Sequence, residues 1–172
     1  MKEIAIGGSN KKMLVDDSDF EMMSKVVWKV DRVGYCAGSV GLTLASQIGV
    51  PSGRWYAHRL IMRPEGKLTV DHINLNKLDN QRENLRICTH RENTFNRPKR
   101  KDSISSKYIG VHWCNTHKAW IASISINRKQ KRKRCGSEVE AALLYNELAL
   151  KHRGPYARLN QINHGSPTVQ TK

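Results

Sequence analysis

The chain has 172 residues, with 38% hydrophobic and only 6% aromatic residues, and it carries a formal net charge of +15 at pH 7. This length suits one domain or two small ones, and the few aromatic residues favour thin cores in small units over one large core. The charge makes polyanions the expected partners, and the lack of any run of about 18 apolar residues argues against a membrane protein.

The sequence shows no targeting signal and no zinc motif. No long apolar run follows Met1, and no Cys-x-x-Cys pair or Cys/His quartet has the spacing of zinc ligands. The four cysteines lie far apart, at Cys36, Cys88, Cys114 and Cys135. We therefore expect no structural zinc, and a soluble protein of the reducing cytoplasm.

Positive charge is concentrated in the C-terminal part of the chain. Lys and Arg stand against Asp and Glu as seven to six over residues 1–57, eight to five over residues 58–97, and fifteen to four over residues 98–172. The last segment is therefore expected to supply most of the electrostatic attraction to a polyanion.

Residues 1–57 predict a small β-rich region with one short helical piece. The acids of residues 16–19 suit a helix cap, residues 26–30 favour a strand, and residues 31–34 predict a hairpin turn. This region either covers one side of the unit that follows or contacts nucleic acid.

Residues 41–46 and 54–61 predict two more strands, joined by a segment that contains Gly and Pro. On a strand, His58 and Arg59 would point to opposite faces. Arg59 could then bind a phosphate and His58 could support an active site, although a structural or solvent-facing role explains either residue equally well.

The central segment predicts a strand, a loop, a second strand and a helix. Residues 68–71 are rich in β-formers and end in an acid, residues 74–80 are rich in Asn and Asp and favour turns, and residues 84–89 predict the second strand. Thr89 and Glu92 have the spacing of a capping box, so a helix of about two turns should follow.

This segment brings together the residue types that phosphodiester hydrolysis needs. If it closes on itself, Asp71 and His72 at the end of the first strand can face Asn93, one turn into the helix. A carboxylate and an amide oxygen suit a hard cation such as Mg²⁺ or Mn²⁺. An imidazole beside them can accept a proton from water at neutral pH, so His72 is the candidate general base.

Four motifs here resemble the HNH nucleases of the ββα-metal class, in particular phage and intron homing endonucleases. They are His58-Arg59-Leu60, Val70-Asp71-His72, Asn84-Leu85-Arg86 and Asn93. The resemblance implies a ββα-metal core in which Asp71 and Asn93 bind one Mg²⁺ or Mn²⁺ ion and His72 is the general base. It also implies that Asn84 orients the loop of the His and that Arg86 contacts DNA. The last motif position is Asn instead of His, so metal affinity is expected to depend on DNA phosphate.

The C-terminal part predicts a second module after a linker. Residues 98–106 form a basic linker, which either lies along DNA or is a solvated tether. Residues 110–113, 119–126 and 131–136 predict three strands, and a capping box of Ser137 and Glu140 opens a helix that extends to about Arg153. Residues 165–172 are expected to be disordered.

The middle strand of this module has one apolar face, which the helix should cover. The other face would be polar and fit to enter a major groove about 12 Å wide. Its expected DNA-binding residues are His112, Ser123, Ser125, Arg132 and Arg134. A solubilising charged edge strand is the alternative interpretation of residues 129–134.

The second module resembles the ethylene-response-factor type of plant DNA-binding domain over about fifty residues. The matching motifs are Ile109-Gly-Val, Trp120-Ile-Ala-Ser-Ile, Glu140-Ala-Ala, Tyr145-Asn and Ala149-Leu-Lys-His-Arg-Gly154. The chain has His112, Ser123 and Ser125 where that family usually has Arg and Glu, so the family's target sequence is not carried over.

The sequence therefore predicts an α+β protein with residues 1–97 as N-terminal region plus nuclease core, and residues 108–164 as DNA-binding domain. The expected function is a site-specific homing-type endonuclease that leaves 5′-phosphate and 3′-hydroxyl ends on duplex DNA, as a monomer or a homodimer. A DNA-binding regulator without cleavage activity and an RNA-binding protein are the alternatives.

Overall fold

The structure is a computed structural model that describes residues 1–99 and 105–162. The predicted linker lies partly outside the described residues, and the predicted disordered tail lies entirely outside them. The chain divides into two compact units, Met1–Thr94 and Phe95–Lys172. Helices and sheets occur in both units, which confirms the α+β class. Among the described residues, no helix is long and apolar enough to cross a membrane.

The first unit contains three small antiparallel sheets, with strand orders β1-β2, β3-β4-β5 and β6-β7. The strands are β1 (Lys2–Ala5), β2 (Lys12–Val15), β3 (Trp28–Val30), β4 (Cys36–Val40), β5 (Gly53–Tyr56), β6 (Thr69–His72) and β7 (Leu85–Cys88). The helices are α1 (Asp17–Ser24), α2 (Leu42–Ile48), α3 (Ala57–Met62) and α4 (His90–Asn93), with a 3₁₀ turn at Arg82–Asn84. A second 3₁₀ turn, Thr94–Asn96, begins at the last residue of this unit.

The predicted helix cap and hairpin turn are both present in the first unit. Asp16 is the N-cap residue of α1, but its carboxylate accepts a hydrogen bond from the backbone of Arg82 at 2.7 Å and not from the helix. The Arg82 guanidinium also binds Asp19 at 2.7 and 2.8 Å. In the turn after β3, Asp31 accepts the backbone N–H groups of Val33 and Tyr35, each at 2.9 Å.

Two predicted strands are wrong, because both segments contain helices. Residues 41–46 mostly belong to α2, which begins after Gly41 and ends at Gly49 in a left-handed conformation. The strand predicted over residues 54–61 ends at Tyr56, where α3 begins. Burial explains α3, since its apolar residues at helical spacing lie in the core: Ala57, Leu60 and Ile61. His58 and Arg59 are therefore helix residues.

One hydrophobic core extends through the whole first unit. Its largest fully buried side chains include Trp28, Met13 and Leu60. Val70 of β6 and Leu85 of β7 belong to the same cluster as the residues of the N-terminal region. The β6-β7 hairpin is therefore anchored on that region and shares its packing.

The second unit contains a three-stranded antiparallel sheet and one long helix. Its elements are β8 (Val111–Cys114), β9 (Ala119–Ile126), β10 (Lys129–Cys135) and α5 (Glu138–Arg153), followed by a 3₁₀ turn at Gly154–Tyr156. The strand order is β10-β9-β8. The apolar face of β9 packs with α5, as Ala122 clusters with Ala142 and Ile124 clusters with Tyr145.

The two predicted capping boxes differ in the structure. At α4 the box is complete, because Thr89 accepts the backbone N–H of Glu92 and Glu92 accepts the backbone N–H of Thr89. At α5 only half of it forms. Ser137 accepts the N–H of Glu140 at 3.1 Å, whereas the Glu140 carboxylate binds the N–H of Gly136 at 2.7 Å. Both arrangements satisfy N–H groups at the start of a helix.

Candidate active site

Asp71 and His72 lie at the end of β6 and are only 5% and 4% exposed. In the antiparallel register, Asp71 stands opposite Arg86 of β7. The Arg86 guanidinium donates to Asp71 Oδ2 through Nε at 2.9 Å and through Nη2 at 2.7 Å. Because directly opposed residues share one face of a sheet, the hairpin itself creates this charge-assisted pair.

Asn84 closes the loop that follows His72. Its Oδ1 atom accepts the backbone N–H of Asn74 at 2.9 Å, and its Nδ2 atom donates to the backbone oxygen of Asp79 at 2.8 Å. Its own backbone oxygen accepts the N–H of Ile73 at 2.9 Å. One residue thus ties both ends of the loop to the start of β7.

His72 is held in one orientation by a buried amide. Its Nε2 atom lies 3.3 Å from Oδ1 of Asn80, which is fully buried. An amide oxygen only accepts hydrogen bonds, so Nε2 carries the hydrogen and the lone pair is on Nδ1. Burial lowers the pKa of His72 below its usual value, which keeps the imidazole neutral at pH 7.

Aromatic side chains surround His72. The His58 ring centroid lies 5.1 Å from that of His72, and the Tyr35 centroid lies 5.0 Å from His58 and 5.8 Å from His72. Burial, followed by the neighbouring His72 and Arg59, lowers the pKa of His58 to about 3. In the described part of the chain, Nδ1 of His58 is buried without a hydrogen-bond partner. His58 is therefore a neutral packing partner of His72.

Asn93 lies on α4, which packs against both β6 and β7. The pKa of the Cys88 thiol responds to both Asp71 and Asn93. Burial and then the Asp71 carboxylate raise the pKa of Cys88, and the backbone N–H of Asn93 acts in the opposite direction. The Asp71 carboxylate and the Asn93 backbone N–H thus both act on the pKa of one thiol, that of Cys88 at the end of β7. Within residues 1–99 and 105–162, the Asn93 side-chain amide forms no hydrogen bond, and it is half-buried.

The donor set suits a hard divalent cation that is completed by its substrate. No group of three His, Cys, Asp or Glu side chains with the arrangement of a metal site occurs among the described residues. One carboxylate and one uncommitted amide oxygen would leave most positions of an octahedral ion to phosphate and water. The Arg86 guanidinium would compete with a metal ion for the Asp71 carboxylate, since it already binds that group.

The structure places two predicted residues differently from the expectation and adds two that the sequence analysis missed. Arg86, predicted to contact DNA, is 17% exposed and paired with Asp71. Arg59 is a half-buried residue of α3 next to His58. The sequence indicates Asn80 only as a turn former, and Tyr35 lies far in sequence from Asp71 and His72. No local pattern distinguishes either residue, because both act through tertiary packing.

The strand register places the residues predicted for the polar face of the second unit on one side of the sheet, together with the buried Ile121. His112 pairs with Ile121 and Ile121 with Arg134, while Ser123 pairs with Arg132. The five predicted DNA-binding residues therefore share one face with Gln130, the partner of Ser125. Ser123 differs from the expectation, since its hydroxyl is half-buried and donates to the backbone oxygen of Gly110 at 3.2 Å. Ser125, Arg132 and Arg134 are exposed.

Comparisons with known proteins agree with the motif. A family model described as HNH endonuclease matches residues 55–95. An uncharacterized HNH endonuclease of Acanthamoeba polyphaga mimivirus is 31% identical over 150 residues, which cover 83% of this chain and 71% of the relative. That share is larger than the first unit alone, so the similarity includes part of the second. No solved structure gives a significant match.

Proposed function

Since the chain belongs to the HNH endonuclease family and is therefore a phosphodiester hydrolase, we propose that it is a site-specific, metal-dependent endonuclease of homing type that cuts duplex DNA. The observation that carries this proposal is the placement of a neutral, oriented His72 next to Asp71, at the end of one strand and under a loop closed by Asn84. A neutral imidazole in a fixed orientation is what a general base requires.

The reaction is a hydrolysis in which water attacks phosphorus. His72 removes the proton of the water through Nδ1, and the bond from phosphorus to the 3′ oxygen breaks. The departing 3′ oxygen takes up a proton from solvent water, which leaves 5′-phosphate and 3′-hydroxyl ends. Asp71 and Asn93 would hold one Mg²⁺ or Mn²⁺ ion, which when bound stabilises negative charge on the phosphate and the departing oxygen. Asn84 and Asn80 keep the loop and the imidazole in position.

Metal removal tests the enzyme assignment. Purified protein should cut a phage-derived duplex with Mg²⁺ or Mn²⁺, should stop in excess EDTA, and should recover when the ion is restored, because the phosphate charge is otherwise uncompensated. End-labelling of the products should show 5′-phosphate and 3′-hydroxyl ends. Undiminished cleavage in EDTA would contradict the metal-dependent mechanism.

A non-cutting DNA-binding regulator is the second candidate function. The contact that favours it is the Arg86 pair, since the guanidinium binds the same carboxylate that the metal ion needs. In this case the protein would bind the duplex, but cleavage would be undetectable with either ion at any concentration. If the protein bound RNA in place of DNA, RNA would compete for binding more strongly than duplex DNA does.

In this proposal the second unit provides most of the binding affinity for DNA. The sheet face that carries His112, Ser125, Arg132 and Arg134 would lie in the major groove, as the resemblance to the ethylene-response-factor type suggests. All residues of β10 before Cys135 are exposed, and five of these six are Lys or Arg. The protein would act in the cytoplasm, as a monomer that nicks one strand or a dimer that cuts both.

Binding to duplex DNA should weaken steeply with salt. With about 5 to 8 phosphates neutralised, log K should fall against log salt concentration with a slope of about −0.9 per phosphate, measured by filter binding or fluorescence anisotropy. The double variant Arg132→Gln/Arg134→Gln should lower the magnitude of this slope by about 2, one unit for each lost phosphate contact.

The control for this measurement changes the same charge elsewhere. Lys12 and Lys25 are exposed residues of the first unit, so Lys12→Gln/Lys25→Gln removes two charges without touching β10. Its slope should equal that of the wild type. If both double variants change the slope equally, the net charge and not the β10 face holds the DNA.

A further inference from the structure

Tyr35 lies in the candidate site with a ring whose orientation is fixed by its neighbours. Its centroid is 5.0 Å from that of His58 and 5.8 Å from that of His72. The Lys77 ammonium group lies 4.4 Å from the same centroid and also donates to the backbone oxygen of Val33 at 2.6 Å. Lys77 is thus anchored at the turn that carries Tyr35, and the phenol ring has little freedom to move.

The Tyr35 hydroxyl has no acceptor within the protein as far as the structure describes it. Among the described residues, the side-chain nitrogen and oxygen atoms that are fully buried without a partner are His58 Nδ1 and Arg153 Nε, so the Tyr35 hydroxyl is not fully buried. A half-buried tyrosine normally donates its O–H group to a hydrogen-bond acceptor. Tyr56 does so, since its hydroxyl donates to Asp31 Oδ2 at 3.3 Å.

The position and charge state of this hydroxyl suit contact with a phosphate. Burial, followed by the negative charges of Asp71 and Asp31, raises the pKa of Tyr35, so the phenol keeps its hydrogen at neutral pH. The same Asp71 is the proposed metal ligand, and His72 is the proposed base. A fixed tyrosine ring whose hydroxyl has no internal acceptor therefore lies next to His72, and the charge of Asp71 acts on that hydroxyl.

We propose that the Tyr35 hydroxyl donates a hydrogen bond to a non-bridging oxygen of the scissile phosphodiester; this role rests on the function proposed above. The hydrogen stays on the phenol, and no bond to Tyr35 forms or breaks. The donor stabilises the negative charge that grows on the oxygen as water attacks phosphorus. Because the ring is already fixed, the protein does not need to reorganise when that charge develops.

The first test removes the hydroxyl alone. Tyr35→Phe keeps the ring next to His58 and His72, and it should lower the single-turnover cleavage rate about 100-fold, the usual effect of one preorganised donor to a developing charge. DNA affinity and the thermal unfolding temperature should not change. The matched control is Tyr56→Phe, which removes the neighbouring hydroxyl that already binds Asp31 and should leave the cleavage rate unchanged.

A second test uses sulfur in place of each non-bridging oxygen of the scissile phosphate, in separate diastereomers. Sulfur is a poorer hydrogen-bond acceptor, so the diastereomer that loses the Tyr35 contact should be cut more slowly by the wild type. In Tyr35→Phe that additional slowing should disappear, because the contact is already absent. A purely structural role for Tyr35 would leave the sulfur effects the same in both proteins.

The outcomes separate this inference from the proposed function. Equal cleavage by the wild type and Tyr35→Phe, or equal sulfur effects in the two, overturns the role of Tyr35 and leaves the nuclease assignment intact. A wild-type protein that does not cut DNA with Mg²⁺ or Mn²⁺ overturns both.

Discussion

The His72→Ala variant should cut duplex DNA about 10²- to 10⁴-fold more slowly than the wild type, because it lacks the group that removes the proton of the attacking water. DNA affinity should be unchanged, since His72 is buried and the basic β10 strand lies in the other unit. His58 cannot replace it, as its pKa of about 3 makes it a weak base and its Nδ1 atom is buried. Single-turnover cleavage and fluorescence anisotropy measure the two quantities.

His152→Ala is the control for this variant, because His152 is an exposed histidine in the last turn of α5. It should cut at the wild-type rate. The pH profile gives an independent check. Burial lowers the pKa of His72 below its usual value of about 6.5, so the neutral base persists on acidification to that pH and is lost only below it. Equal rates for the wild type and His72→Ala would rule out His72 as the base.

The Asp71→Asn variant should lose metal-dependent cleavage and some stability as well. Loss of the carboxylate weakens the hold on a divalent ion, and we expect a rate decrease of at least about 10³-fold, similar to the loss of other charge-stabilising groups. The substitution also leaves the Arg86 guanidinium without its counterion in a site only 17% exposed. Breaking such a pair costs about 3 to 5 kcal/mol when it is fully buried, and less at this exposure.

The double variant Asp71→Asn/Arg86→Leu separates the two effects. Replacing both charges should recover most of the lost unfolding free energy, because no unpaired guanidinium remains near the core. Cleavage should remain absent, since the metal ligand is still missing. Denaturant unfolding and cleavage with Mg²⁺ are the measurements. If the double variant regained activity together with stability, Asp71 would serve only to balance Arg86.

The motif residues could be found in the sequence, whereas the contacts that orient them could not. Asp71, His72, Asn84 and Asn93 stand at spacings that a strand, loop, strand and helix bring together, and local patterns at turns and caps predict those elements. Asn80 is different, because its amide reaches His72, eight residues before it in the chain, only through the folding of the intervening loop. Turn-forming residues are frequent in such loops, and composition does not show which of them is buried.

The wrong prediction over residues 54–61 has a related cause. Trp55 and Tyr56 favour a strand, and the segment does begin as one, but from Ala57 onward burial at helical spacing determines the conformation. A short apolar segment cannot be assigned to strand or helix from its period alone. In the second unit β9 extends over eight residues, and Ala122 and Ile124 of its predicted apolar face pack with α5. Ile121 on the opposite face is buried as well, which the alternation of residue types did not predict.

The shared core of the first unit limits how the β6-β7 hairpin can be used in protein engineering. Val70 of β6 and Leu85 of β7 are buried among side chains from the N-terminal region. An excised peptide of residues 68–97 would expose both side chains to water. It would also lack the N-terminal side chains that pack against the hairpin. A chimeric nuclease built from this protein should therefore carry the whole of Met1–Thr94 as its transplantable cassette.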